Sequence, residues 1–258
     1  QELYNEREHQ PGLRWRLSVL NRSLGSIRKG DFGFIFARPE TGKTTFLASE
    51  ISYFAEQTVS PILWFNNEEQ GNKVQVRVYQ AACNATYTQL QSNIQHYQKK
   101  YNELTNKSIR IYDSATITTK EVSQLCERYA PGCIIFDQLD KIKGLDGDRD
   151  DLRLGAIYIW ARELAKKYCP VIGVCQSDAT GEGKRWLTMD NVANAKTAKQ
   201  AEADWIIGIG KTHNEAEEHL RYLSICKNKL IGDSDTDPIL RHGHLTVKIN
   251  PYVARYED

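Results

Sequence analysis

Short apolar segments rich in β-branched and aromatic residues alternate with longer segments in which apolar residues recur at a helical period. This alternation predicts a mostly parallel, twisted sheet with helices on both faces, joined by right-handed crossovers. After Asp204 the apolar segments follow one another with little helix between them, and we expect an antiparallel C-terminal extension of the sheet. The predicted strands are 33–37, 62–66, 108–112, 133–137, 171–175, 205–209, 222–226, 244–249 and 252–256, and the predicted helices are 43–57, 71–83, 87–101, 119–129 and 151–167.

The same pattern divides the chain into an N-terminal arm and one large domain. Residues 1–16 are mostly polar and contain the pair Pro11 and Gly12, so we interpret them as a linker or docking arm. Residues 17–258 form a single α/β domain in this interpretation. The first residues lack both the apolar core of a secretory signal and a starting Met, so we expect a cytoplasmic protein, not secreted, that is compatible with a larger parent.

Composition narrows the class of protein further. The 34 Lys and Arg nearly balance the 33 Asp and Glu, and 40% of the residues are hydrophobic, as in a folded domain. No apolar run approaches the roughly 18 to 20 residues of a membrane span. The six cysteines lack metal-binding spacing and are expected to be reduced. A net charge of +1 argues against a broad polyanion-binding surface, so any nucleic-acid site must be local.

A phosphate-binding loop is predicted between the first strand and the first long helix. Backbone N–H groups of such a loop surround a phosphate at the helix N-terminus, Lys43 reaches the β- and γ-phosphate oxygens, and Thr44 ligates Mg²⁺. Ala37 stands where the general motif has its first glycine. The expected cofactors are ATP and Mg²⁺, and the expected binding residues are Ala37, Arg38, Pro39, Glu40, Thr41, Gly42, Lys43, Thr44 and Thr45.

Hydrolysis also needs an acid that holds the metal and a base that orients water. Asp137 ends the apolar strand 133–137 and is the predicted metal-binding acid. Glu68 follows the strand 62–66 and is the predicted general base, with Glu69 as the competing candidate. Gln176 follows the strand 171–175, where its amide either contacts the γ-phosphate or the attacking water or simply binds a loop.

The string Ala37 to Thr45 resembles the phosphate loop of DnaB-type replicative helicases, Ala37 included. The segment 20–25, followed by 29–31, is similar to the approach to that loop in phage primase-helicases and in the mitochondrial Twinkle helicase. The resemblance extends from about Leu17 to the C-terminus. It implies a RecA-like P-loop NTPase fold, and it places Asp137, Glu68 and Gln176 at the family's metal-binding Asp, catalytic Glu and γ-phosphate sensor.

Two further segments correspond to loops that line the central pore of ring helicases in this family. The first, 141–153, carries four Asp beside its cations, and we assign it a DNA role with less support. The second, 178–199, combines glycines, cations and Trp186, which suits phosphate contacts and base stacking. The alternative is an ordinary solvated loop in which Trp186 packs on the protein. The predicted DNA contacts are Lys184, Arg185, Lys196 and Lys199.

Lys227 and Lys229 resemble the family hairpin whose Lys-x-Arg reaches the nucleotide of the neighbouring subunit. Both are predicted to be catalytic in trans, with Lys229 at the position of the arginine finger. A lysine supplies a point charge but lacks the bidentate fork of arginine. The Lys-Asn-Lys sequence is also similar to the paired lysines of RecA recombinases.

The resemblance implies an ATP-dependent DNA helicase that forms a homo-oligomeric ring, most simply a hexamer, and moves 5′ to 3′ on single-stranded DNA. A primase or a helicase loader is an expected partner, and a membrane is not. Two alternatives remain open: a RecA-like recombinase or other DNA-stimulated ATPase that forms filaments, and a nucleotide-gated scaffold or loader. The presence of both Glu68 and Asp137 argues against the scaffold.

Overall fold

The structure is a computed structural model that describes residues 12–145, 147, 149–194, 196–230, 232 and 242–258. Part of the predicted arm (1–11), Asp146 and Asp148 of the first predicted pore loop, and most of the hairpin after Leu230 lie outside the described residues.

The described part of the chain contains nine strands and eight α-helices. The strands are β1 Phe32–Ala37, β2 Ile62–Asn66, β3 Ile109–Asp113, β4 Cys133–Asp137, β5 Val171–Gln176, β6 Trp205–Gly210, β7 Leu220–Asn228, β8 His244–Asn250 and β9 Arg255–Glu257. The helices are α1 Ser18–Ser23, α2 Lys43–Ala55, α3 Gly71–Cys83, α4 Tyr87–Ser92, α5 Ile94–Thr105, α6 Thr119–Tyr129, α7 Asp150–Lys167 and α8 Lys196–Glu202.

One sheet joins all nine described strands in the order β3-β2-β4-β5-β1-β6-β7-β8-β9. The six strands from β3 to β6 are parallel, and β7, β8 and β9 each pair antiparallel with the strand before them. The predicted α/β fold with a mostly parallel sheet and an antiparallel extension is therefore confirmed. No helix in the described ranges combines the length and the apolar character needed to cross a bilayer.

Local capping explains the main departure from the predicted elements. The helix predicted at 87–101 is two helices, α4 and α5, separated at Asn93. The Asn93 side chain accepts a hydrogen bond from the backbone N–H of His96 at 3.1 Å and so starts α5. Asn competes in this way with the helical backbone and favours caps over helix interiors. The last strand begins at Arg255 rather than at residue 252, and the short helix α8 was not predicted.

The core lies on both faces of the central strands, and β1, β2 and β4 are buried at every position. Strands buried on both faces read as continuous apolar runs, which is why their positions follow from the sequence. Gly33 permits close packing within this core, because a Cβ there would overlap the indole of Trp205. All six cysteines are free thiols, as expected, and five of them are buried.

The predicted boundary of the N-terminal arm is wrong for its last described residues. Trp15 is 1% exposed, and its ring packs edge-on against Phe54 and Trp205 at centroid distances of 5.3 and 5.4 Å. Its indole N–H donates to the carbonyl of Gly25 at 3.1 Å. Leu13 is also buried, and it pairs with Ile27 as an isolated β-bridge. Leu13 and Trp15 are core residues, but their polar neighbours in the sequence made the segment resemble an arm.

Replacing Trp15 by Ala should lower the free energy of unfolding by about 3 to 5 kcal/mol, the usual cost of removing a large buried aromatic side chain. The effect is measured from urea unfolding curves. Val59→Ala is the control, since Val59 is 87% exposed and its truncation should change little. Equal effects of the two substitutions would mean that residues 12–16 do not belong to the cooperative core.

Candidate active site

The parallel register brings the predicted site residues to one edge of the sheet. Ala37 of β1 pairs with Gln176 of β5, and Asn66 of β2 pairs with Asp137 of β4. All four residues end their strands, and the carboxyl ends of parallel strands face the ligand crevice of an open α/β sheet. The sequence segments that were predicted to act together therefore meet at this edge.

The phosphate loop joins β1 to the N-terminus of α2. Gly42 has a φ of 108°, and a Cβ there would lie 2.8 Å from Ile249 Cδ1 and 2.9 Å from the Tyr256 hydroxyl. Both the backbone conformation and the close approach therefore require glycine. Arg221 Nε donates to the carbonyl of Thr41 at 2.6 Å, and the Tyr256 hydroxyl donates to the carbonyl of Gly42 at 3.3 Å. The C-terminal strands thus support the loop, a contribution that sequence reasoning missed.

Lys43 lies inside the phosphate loop with its ammonium directed at the loop backbone. Its Nζ donates to the carbonyls of Arg38 at 3.1 Å and Ala37 at 3.4 Å. Burial lowers the pKa of Lys43, and the nearby carboxylates of Glu68 and Asp137 oppose this shift. A buried cation held only by neutral carbonyls favours a polyanion in the loop, as the sequence predicted.

Thr44 and Asp137 fit a magnesium ion. The Thr44 hydroxyl donates to Asp137 Oδ2 at 3.3 Å, whereas Oδ1 is buried and has no hydrogen-bond partner among the described residues. Burial, and next the charge of Glu68, raise the pKa of Asp137 to about 7. The described residues contain no cluster of three or more His, Cys, Asp or Glu that could hold a metal. One carboxylate, one hydroxyl and phosphate oxygens are the usual donors for Mg²⁺ beside a nucleotide.

The structure separates the two candidate bases. Glu69 forms a two-pronged ion pair with Arg77, in which Nη2 and Oε1 are 3.0 Å apart. Glu68 instead accepts hydrogen bonds from Gln138 Nε2 at 2.8 Å and from Gln176 Nε2 at 3.1 Å. Glu68 therefore lies at the strand ends with the other site residues, while Glu69 is occupied by a cation on α3. This placement favours Glu68 as the base, and its role stays a prediction.

Gln138 and Asn67 belong to the site and were missed by sequence reasoning. The backbone N–H of Gln138 donates to Asn67 Oδ1 at 2.6 Å, and Asn67 Nδ2 donates to the carbonyl of Gln138 at 2.9 Å. The only available signal was their position, since each lies next to a predicted site residue. Gln176 contacts Glu68 rather than a loop, which agrees with the site alternative for its amide.

The described residues 178–194 of the loop 178–195 pack more closely on the protein than their composition suggests. Trp186 stacks on His244 with a centroid distance of 4.3 Å, so the alternative in which this ring packs on the protein describes the structure. Arg185 pairs with Glu217 at 2.7 Å, and Lys196 pairs with Asp178 at 2.9 Å. Lys184 is exposed. Of these cations, Lys184 agrees best with a phosphate contact.

Lys199 is wrong as a predicted DNA contact. Its side chain is 0% exposed, and its ammonium lies 2.5 Å from Asp140 Oδ2 and 2.8 Å from the carbonyl of Ala193. The sequence indicated a cation but not its partner, because Asp140 lies on a different element near the end of β4. A buried ammonium needs such a partner to offset the loss of hydration.

The two hairpin lysines have different surroundings. Lys227 Nζ donates to the carbonyls of Gln200 and Ala201 at the end of α8 in the same chain, the latter at 3.5 Å. Burial, and next the charge of Lys229, lower the pKa of Lys227. Lys229 has an exposed side chain, and its backbone N–H donates to the carbonyl of Asp204 at 2.8 Å. Lys229 is the more accessible of the two for a neighbouring subunit.

The phosphate loop is also linked to the loop 178–195. Arg38 Nε pairs with Glu182 Oε2 at 2.8 Å, and Arg38 Nη1 donates to the carbonyl of Ser177 at 3.2 Å. Both side chains of the ion pair are partly exposed, so the pair contributes little to stability by itself. Its position nevertheless joins the nucleotide loop to the segment that was predicted to contact DNA.

Lys199→Ala should lower the free energy of unfolding by about 3 to 5 kcal/mol, because it leaves the Asp140 carboxylate in a mostly buried position without its cation. Denaturant unfolding measures the change. The matched control is Lys184→Ala in the same segment, where an exposed side chain predicts a change within about 0.5 kcal/mol. Similar stabilities of both variants would contradict a structural role for Lys199.

Comparisons with known proteins agree with this geometry. A family model described as the DnaB-like helicase C terminal domain matches residues 12–224. The replicative DNA helicase DnaB of Buchnera aphidicola subsp. Baizongia pistaciae (strain Bp) is 27% identical over 189 residues, which is 67% of this chain and 41% of that protein. The chain thus spans less than half the length of this curated relative.

Two solved structures share the fold. One, an ATPase domain, has a TM-score of 0.78 and 16% identity, with 100% of this chain and 96% of that chain covered. The other, a DnaB-like replicative helicase solved to describe its interactions with primase, has a TM-score of 0.75 and 15% identity, with 99% and 65% covered. Since the family model covers well over half of the residues, this chain belongs to the family of the DnaB-like helicase C-terminal domain.

Proposed function

We propose that this chain is the motor domain of a replicative DNA helicase, which hydrolyses ATP and uses the energy to move along single-stranded DNA. The observation that carries the proposal is the meeting of Lys43, Thr44, Asp137 and Glu68 at the carboxyl ends of neighbouring strands. Together they supply a phosphate-binding cation, ligands for Mg²⁺ and a general base. These are the components that phosphoryl transfer to water requires.

Each component has a distinct task in the proposed reaction. The Lys43 ammonium leaves the loop carbonyls and binds the β- and γ-phosphate oxygens. Thr44 and Asp137 would hold Mg²⁺, and the bound ion would supply positive charge to neutralise the charge that develops on the phosphates. A Glu68 carboxylate oxygen orients the attacking water and accepts its proton. The Gln176 amide donates a hydrogen bond to Glu68, and this contact supports a role as the γ-phosphate sensor.

We further propose that the chain works in a ring, most simply a hexamer, in which Lys229 acts on the nucleotide of the adjacent subunit. Its exposed side chain on the β7 hairpin supports this role. Cations supplied across an interface neutralise charge that grows in the transition state. The proposed DNA contacts are Lys184, Arg185 and Lys196 of the loop 178–195 and the start of α8. A primase or a helicase loader is the proposed protein partner.

The recombinase alternative depends on Lys227 and Lys229 acting together across an interface. Lys227 is engaged with two carbonyls of α8 in its own chain. This contact argues for one cation in trans rather than a pair and so favours the helicase. The scaffold alternative is disfavoured by the intact arrangement of Glu68 and Asp137.

Glu68→Gln should slow ATP hydrolysis by about 10² to 10⁴ fold and leave nucleotide binding intact, because it removes the base but keeps the size and shape of the side chain. Glu69→Gln is the matched control and should retain turnover. Hydrolysis is measured with and without single-stranded DNA, which should accelerate the wild-type chain. A slower Glu69→Gln variant beside a normal Glu68→Gln variant would exchange the two roles. No acceleration by DNA would contradict the helicase motor.

Lys229→Ala should give a folded, ATP-binding protein with impaired hydrolysis, since its own pocket keeps every residue. Mixing it with Glu68→Gln subunits should restore part of the activity, because some interfaces then pair a wild-type lysine with a wild-type base. ATP hydrolysis of the mixture, relative to each variant alone, is the measurement. Full activity of Lys229→Ala as a monomer would contradict the trans role.

A further inference from the structure

Two amides hold the Glu68 carboxylate, and the backbone of each is anchored by other parts of the fold. Gln176 ends β5, and its backbone carbonyl accepts a hydrogen bond from the N–H of Ala193 at 3.0 Å. Gln138 is 3% exposed, and its backbone exchanges hydrogen bonds with the Asn67 side chain at 2.6 and 2.9 Å. The backbone N–H of Asn67 also donates to the carbonyl of Asp137 at 2.9 Å. The position of Glu68 therefore depends on where the backbone holds Gln138.

The next two residues, Leu139 and Asp140, anchor the backbone that follows Gln138. Leu139 is fully buried against β5, where a Cβ on Gly173 would lie 3.0 Å from Leu139 Cδ2. Asp140 Oδ1 accepts a hydrogen bond from the Tyr158 hydroxyl at 3.0 Å, and Oδ2 binds Lys199 at 2.5 Å. A 3₁₀ turn spans 139–141 directly after Gln138, so a short and packed stretch of backbone joins Asp140 to Gln138.

Lys199 connects this turn to the loop 178–195. Its ammonium also binds the carbonyl of Ala193, near the end of that loop, and its helix α8 follows the loop directly. A polar contact is worth more in a water-free surrounding, and the Lys199 side chain is completely buried. A movement of the loop end at Ala193 would therefore reach Asp140 through the buried Lys199 ammonium.

We propose that Gln138 is a positioning residue for Glu68. In this proposal the Lys199–Asp140 ion pair sets the position of Gln138, and the position changes when the loop 178–195 binds DNA. The inference rests on the proposed function, in which this loop contacts DNA. DNA binding then changes the position of Glu68 through Lys199, Asp140 and Gln138. Lys199 acts on hydrolysis although it is buried and does not touch DNA.

The positioning role is tested with Gln138→Leu and Gln138→Glu, each beside the same change at Gln124, which is exposed on α6. In Gln138→Leu, kcat should fall by about 10 to 100 fold with little change in KM for ATP, because a misplaced base impairs chemistry more than binding. In Gln138→Glu, kcat should also fall with little change in KM, because a carboxylate at this position cannot donate a hydrogen bond to Glu68. An unchanged kcat in both variants would overturn the role.

The link to the loop is tested with the double variant Lys199→Met and Asp140→Leu in the full chain. Replacing a buried ion pair by apolar residues of similar size tends to preserve folding. The acceleration of ATP hydrolysis by single-stranded DNA should fall at least several fold relative to wild type, while single-stranded DNA still binds. Normal acceleration in this variant would overturn the link.

The two failures can be told apart. A wild-type chain that DNA does not accelerate contradicts the proposed function and the DNA link together. In that case the Gln138 variants still decide the positioning role, because kcat and KM are measured without DNA. If the double variant fails to fold, Lys199→Arg replaces it: a longer cation that keeps the charge should alter DNA acceleration, and an unaltered value would overturn the link.

Discussion

The parallel pairing of β1, β5, β4 and β2 is the constraint on which the candidate site depends. These strands are almost entirely buried, so a slip of one residue would turn core side chains toward the wrong face of the sheet. The resulting register places Ala37 beside Gln176 and Asn66 beside Asp137. Groups from distant parts of the chain therefore reach one edge through the pairing and packing of buried strands.

Burial then determines which charges the site can tolerate. It lowers the pKa of Lys43 and raises the pKa of Asp137 to about 7, and their neighbours oppose these shifts only in part, so each charged form gains further stabilisation from a ligand of opposite sign. Phosphate at Lys43 and Mg²⁺ at Asp137 are such ligands. The buried ammonium of Lys199 is instead stabilised within the protein, because the Asp140 carboxylate lies 2.5 Å away. The contrast separates a binding cation from a structural one, although both are buried lysines.

The same distinction separates the predictions that followed from local sequence from those that needed partners on distant elements. The strand and helix on either side of the phosphate loop, and the strand that ends at Asp137, were predictable from the local pattern, while the roles of these residues stay predictions. The preference for Glu68 over Glu69 has a structural reason, because Arg77 forms an ion pair with Glu69. Lys199 was misassigned because its partner Asp140 is 59 positions away. Trp15 was placed in the arm because its core neighbours, Phe54 and Trp205, are also distant in the chain.

The sequence by itself determined the order of the strands and of most of the long helices, the phosphate loop between β1 and α2, and the candidate acid and base at the ends of β4 and β2. These features depend on local periodicity and on short motifs, which are complete within a few residues of the chain. Only the tertiary structure decided which cations are exposed, which carboxylate is held by Gln138 and Gln176, and how the loop 178–195 is joined to Glu68. Such properties depend on burial and on partners from other elements, because the energy of a charge is set by its surroundings in space rather than by its neighbours in sequence.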